Sequence, residues 1–267
     1  MIVRALLAMA VTMVTPAFAT QIDVSDLDRL PDADIVFLGE VHDNAQHHIH
    51  QERALVSIVP AAIVFEMLTD AQAQVLSHPL PPRDDLRQQL DWDASGWPDF
   101  EMYYPLFTAV PDMQFFGAAL PRAEARAAMA QPLAEVFAGD AALFGLDIAL
   151  PREEQEARES LQASAHCDAL PAEMLPAMVD IQRLRDAMLA EAALRAYTTT
   201  GGPVAVITGT GHARRDWGAP AALALAAPEL SQLSIGQFET PPTEPPPFDL
   251  WLVTDPQPRP DPCDAFR

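Results

Sequence analysis

A chain of 267 residues with 38 acidic side chains against 16 basic ones, every one of the latter an arginine, carries a formal charge of −22. Such a charge repels phosphate backbones and anionic lipid, which excludes nucleic acid and membrane surfaces as natural partners. The absence of lysine excludes Schiff-base chemistry and a P-loop, and the length suits one large α/β domain or a domain with an insertion.

Taken in chain order, residues 1–19 read as a secretory signal peptide. Arg4 supplies the positive start, Ala5 to Val14 is apolar and small apart from Thr12, and Ala17-Phe18-Ala19 has the small-x-small form of a cleavage site. The apolar stretch falls short of the roughly 20 residues that span a bilayer. No cysteine lies at the cut, so no lipid anchor is expected. The expected product starts at Thr20, is periplasmic or secreted, has no integral membrane segment, and carries 15 arginines against 38 acidic residues, a formal charge of −23.

Strand-like runs sit at 34–38, 61–66, 113–118, 203–208, 231–235 and 248–253, and the β-branched ones at 35–38 and 204–207 read as buried strands. Helical patterns fill most of the gaps. The alternation predicts an α/β fold with a mostly parallel central sheet flanked by helices. Between about 121 and 200 only helical spacing appears, which predicts a helical subdomain inserted within a body of residues 20–240. In that block Met174, Met178, Ile181, Leu184 and Met188 recur at helical steps and form a core-facing stripe. Residues 241–267 are proline-rich and predict an extended tail whose run 248–253 is an edge strand. Cys167 and Cys263 are either a disulfide or two free thiols, and neither has CxxC spacing.

Chemistry concentrates where strands end. Gly39-Glu40-Val41-His42 follows the first run, Gly209-Thr210-Gly211-His212 follows the fourth, and Glu66 ends the second. Ligands gather at the carboxyl ends of parallel strands, and His, His, Glu and Glu there is a metal-site or acid–base composition. The alternative for Glu40 and Glu66 is a buried carboxylate paired with an arginine such as Arg214. Asp43-Asn44 caps the next helix, where His47, His48 and His50 crowd together. His50 is assigned to a solvated face, and Arg185 with Asp186 to an internal ion pair. Trp97 and Tyr103-Tyr104 form an aromatic segment, and no serine sits in a nucleophile elbow.

The stretches LGEVHDN, HHIHQ, FEM, QRLRDAM and GTGHARRDWGAP occur in this order between about Asp34 and Ile235. Together they resemble the ChaN-like haem-binding uptake family of the Tiki and erythromycin-esterase-like superfamily. The resemblance implies an exported, non-enzymatic haem-binding protein of haem or iron uptake, acting as a homodimer with two haems face to face. It implies haem held by the tyrosinate of Tyr104, with His42, His48 and His212 nearby and Arg122 and Arg214 toward the propionates. The wider superfamily implies a rival: a hydrolase in which Glu40, His42, Glu66 and His212 hold a divalent transition metal or activate water themselves.

Overall fold

A computed structural model of the chain describes residues 19–261 together with 263 and 264, so the expected signal peptide, all but its last residue, lies outside the described residues. Among the described residues seven strands form one sheet: β1 (Thr20–Gln21), β2 (Ile35–Glu40), β3 (Ala62–Phe65), β4 (Gln114–Gly117), β5 (Val204–Gly209), β6 (Gln232–Phe238) and β7 (Leu250–Val253). Their order is β1-β7-β6-β2-β5-β3-β4, and every neighbouring pair is parallel. The unbroken apolar runs follow from this, because a parallel sheet under helices is buried on both faces.

Successive residues serve opposite layers. Ile35, Phe37, Val64, Val204 and Val206 face a core closed by the helices Leu175–Thr200 and Ala219–Ala226. Val36, Leu38, Ile63, Phe65, Ala205 and Ile207 face the other core, closed by the helices Ala45–Ile58 and Phe100–Thr108. Between β4 and β5 the described residues contain helices and turns but no strand, as the sequence predicts. In the long helix Ala187, Ala190, Ala193 and Ala196 are fully buried, and such small side chains let its axis lie close to the sheet. Ile181 and Leu184 from the predicted stripe are buried, with Met178 and Met188 packed beside them. The helix stops at Gly201, whose φ of 81° is a left-handed cap that costs glycine little.

The chain runs outward from β2 through β3 to β4, makes the helical excursion, and returns through β5 between β2 and β3. Glu40 thereby lies in register with Gly209, and Phe65, one residue before Glu66, with Ile207. The two glycine-histidine elements and Glu66 meet at one edge of the sheet, at the kind of topological break where α/β folds bind ligands.

The tail differs in part from expectation. β7 is an inner strand, because the two-residue β1 pairs along its outer side. A strand of two residues has no periodicity to read. Cys167 and Cys263 form a disulfide with Cα atoms 5.5 Å apart, which resolves the alternatives left open by the sequence.

Candidate functional site

Glu40 ends β2 and is buried, yet among the described residues no arginine reaches it. Its Oε1 accepts from His42 Nδ1 at 2.7 Å and from the Tyr103 hydroxyl at 2.7 Å, while Oε2 faces His48 Nδ1 at 3.4 Å. Burial and the Glu40 carboxylate push the Tyr103 hydroxyl far above its ordinary range, so it donates at neutral pH. Burial disfavours a charged His42, but the Glu40 hydrogen bond and the Glu66 and Glu40 charges outweigh it and raise the imidazole to about 9.

Glu66 accepts from Thr208 Oγ1 at 2.7 Å and from the Gly209 amide at 2.8 Å, and lies 3.8 Å from His212 Nε2. Burial works against its charge, yet His212, His42 and these two donors hold the carboxyl at about 2. His212 turns its Nδ1 to Asp186 Oδ1 at 2.7 Å. Desolvation works against the imidazolium, but Asp186 and Glu66 raise His212, while burial pushes Asp186 up, so the pair keeps its proton at neutral pH. Two imidazoles thus stand at one edge, each with Nδ1 fixed by a buried carboxylate. Gly209 is required between them: a Cβ there would sit 2.9 Å from His42 Nε2.

Both imidazoles open into a cleft of about 680 Å³ between the sheet edge, the aromatic segment and the long helix. Glu66, Trp97, Arg122 and Arg185 share its lining, and the Trp97 ring stands 4.9 Å from that of His42. Among the described residues neither guanidinium has a carboxylate partner; Arg185 reaches only Gln182 Oε1, at 3.5 Å. The expected Arg185–Asp186 ion pair is therefore absent, because Asp186 is turned to His212. In a strongly acidic protein this cleft gathers two guanidiniums and two imidazoles whose charged forms are favoured, beside the carboxylates of Glu66 and Asp91.

Other expected residues lie elsewhere. Arg214 forks onto Asp216 at 2.9 and 2.6 Å and covers Trp217 at 3.7 Å, so it pairs with neither strand-end glutamate. Tyr104 is half-buried with its ring 5.9 Å from Phe100 and does not line the cleft; Tyr103, one residue earlier, faces the site. His48 is interior, its ring 4.3 Å from Tyr103, and its Nε2 donates to the His42 carbonyl at 2.9 Å. His50 is buried against Gln237 Oε1 of β6 at 2.9 Å, not solvated, because its face of the helix is turned inward onto that strand. Among the described residues no group of three or more His, Cys, Asp or Glu is arranged to hold a metal ion.

His47 locks the loop after β2. Its Nδ1 accepts from the Val41 amide at 2.8 Å, its Nε2 donates to Thr254 Oγ1 at 2.8 Å, and desolvation, helped by His50, pushes it down to about 4. Folding holds this imidazole neutral, whereas the unfolded chain protonates it near 6.5. Its contribution is thus complete above about 6.5 and falls away as pH drops toward 4. We expect His47→Gln to narrow the difference in urea midpoint between pH 7 and pH 5, and an unchanged difference would contradict this role.

The haem-binding uptake family named ChaN, of the Tiki superfamily, matches residues 27–223. The chain belongs to that family. Among solved structures, Campylobacter jejuni ChaN, described with cofacial haem binding, shares 17% identity at a TM-score of 0.59, over 85% of this chain and 89% of that one. A mutant of erythromycin esterase EreC in its open conformation shares 15% identity at a TM-score of 0.40, over 81% and 75%. No curated protein matches the chain. The likeness to C. jejuni ChaN confirms the α/β fold of this ChaN-family chain.

Proposed function

We propose that this ChaN-family chain is an exported haem-binding protein of haem or iron uptake, and that haem occupies the cleft at the strand ends. The observation that carries the reading is the pair of imidazoles whose Nδ1 atoms are each held by a buried carboxylate and whose Nε2 atoms make no hydrogen bond among the described residues. Histidines that ligate metals are oriented in this way, with the far nitrogen bonded to a carboxylate. His212 or His42 would face the iron, Trp97 would lie along the macrocycle, and Arg122 and Arg185 would take the propionates. Bound haem would supply a transition-metal centre, or be the cargo itself. Because His42 is held as a cation up to about 9, ligation through it must release a proton, and haem affinity should strengthen as pH rises toward 9. A homodimer belongs to this reading, since cofacial haem is named for the C. jejuni relative. The disulfide supports export, because such bonds persist in oxidising compartments.

The deciding experiment is haemin titration followed by absorption spectroscopy. His212→Ala should alter the Soret band and weaken binding by about 10 to 100-fold if it acts as or behind a ligand. Tyr104→Phe should leave the spectrum as it is. Loss of a phenolate charge-transfer band in Tyr104→Phe, with His212→Ala unaffected, would move the iron to the tyrosine expected from family resemblance.

One observation favours a second reading: two carboxylate–imidazole pairs facing a single cleft also suit acid–base chemistry. A hydrolase built on Glu40, His42, Glu66 and His212 would activate water through these side chains directly, and with His42 raised to about 9 it would gain rate toward alkaline pH as a general base. Ester or peptide hydrolysis by protein that gives no Soret shift would decide for it.

A further inference from the structure

We propose that the tail, residues 254–261 with Cys263, is a redox-releasable clasp that ties the loop of His42 to the helices behind His212. The proposal concerns regulation of the site and rests, for its consequence on haem, on the reading above.

The tail touches the loop that carries His42. Arg259 grips Asp43 through Nε and Nη2, both at 2.8 Å, and also binds both oxygens of Glu239, at 2.5 and 2.8 Å. Asn44 donates to Glu239 Oε1 at 2.7 Å and to the Asp255 carbonyl at 3.3 Å, and the Gln257 amide joins the same Glu239 oxygen at 3.1 Å. Two of the four residues in the loop 41–44 are therefore fixed by the tail, and His42 is the neighbour of one of them. Forked, charge-assisted contacts of this kind are the strong ones on a protein surface.

The far end of the tail is anchored behind the long helix, away from the cleft itself. Cys263 is bonded to Cys167, two residues past the end of the helix Arg152–Ala165. That helix packs on the long helix bearing Asp186, the residue that orients His212. One covalent bond thus connects the loop of the first imidazole, through the tail, to the helices behind the second. Both cysteines are partly exposed, so a reductant can reach them. Arg259 leaves its two partners only against their combined attraction, but once Cys263 is free the tail is tethered at one end only, to β7.

The chemistry is thiol–disulfide exchange with a dithiol reductant. Its thiolate attacks one sulfur, a mixed disulfide forms, and its second thiol closes the reductant's own disulfide. The Cys167–Cys263 bond accepts two electrons and two protons and becomes two thiols. Export to an oxidising compartment keeps the clasp closed, and meeting a dithiol opens it.

The test compares oxidised protein, dithiothreitol-reduced protein and Arg259→Gln with the disulfide intact. Hydrogen exchange of the amides at 41–44 and release of bound haemin are measured in each. Both should quicken on reduction by about tenfold or more, since the tail then frees hydrogen bonds made to charged groups. Arg259→Gln should reproduce the faster exchange without reduction. Unchanged exchange at 41–44 in protein whose two thiols titrate would overturn the proposal. So would loss of protection spread evenly over the sheet, which would make the bond a brace for the whole fold. Should haemin fail to bind at all, the function proposed above fails, while the exchange measurement still decides the clasp.

Discussion

Replacing Glu66 by alanine should cost about 3–5 kcal/mol of folding stability, the range found when one member of a buried charged constellation is removed. Glu66 is 7% exposed, and its loss strands the Thr208 hydroxyl, the Gly209 amide and two imidazolium rings together. Glu66→Gln should be milder, because an amide oxygen still accepts a hydrogen bond and only the charge is lost. Histidine NMR supplies the second readout: with that charge gone, His42 should titrate below its raised value of about 9. The sign of the pH effect follows from the carboxyl, which stands at about 2 in the fold against 4.5 as a free group. Its stabilisation is complete above about 4.5 and disappears as pH falls through 2, so the gap between wild type and Glu66→Gln should close on acidification. A Glu66→Ala protein that melts with the wild type would show that the carboxylate does not compensate these rings.

Gly117→Ala should be comparably severe for a steric reason. Gly117 ends β4 where the chain passes under Leu68 and Thr69, and a Cβ would stand 2.2 Å from the Thr69 carbonyl oxygen. No rotamer relieves a clash with backbone, so one segment must move. The hydrogen bonds from Ala118 N to the Phe65 carbonyl at 3.0 Å and from Ala119 N to the Leu68 carbonyl at 2.8 Å cannot both survive that shift. Overpacking typically costs about 1–3 kcal/mol, and clash with rigid backbone places this case at or above the upper end. Residues 118–122 form one side of the cleft, so ligand affinity should fall with stability. Urea denaturation within about 0.5 kcal/mol of wild type, a shift ordinary for surface changes, would contradict the predicted clash.

Much of this architecture is legible in the sequence because its signals are local. Each predicted run overlaps one of the strands β2 to β7, most plainly for β2, β3 and β5, which are buried throughout and so read as apolar stretches. The glycine-histidine elements mark the site because a turn at a strand's end requires small residues beside the functional one. The partners of those histidines are less legible. Tyr103 and Tyr104 are adjacent in one aromatic helix, and only the rotation of that helix about its axis, set by the burial of Phe100, Tyr103 and Phe107, decides which faces Glu40. Asp186 follows an arginine and reads as half of a local ion pair; that it meets His212 depends on how the long helix crosses the sheet. His50 falls in a polar run, and its bond to Gln237 comes from a strand far along the chain. The disulfide is illegible for the same reason, as Cα separation across 96 residues is a property of the fold.

The late return of β5 to the middle of the sheet has a consequence for biosynthesis. His42 and Glu66 emerge from the ribosome early, but the strand that lies between theirs, and the second imidazole after it, comes only at residues 204–212. A nascent chain lacking that segment has a gap at the centre of its sheet and no second wall for a ligand. The protein therefore completes this edge of its sheet only after the whole helical excursion between β4 and β5 has been made.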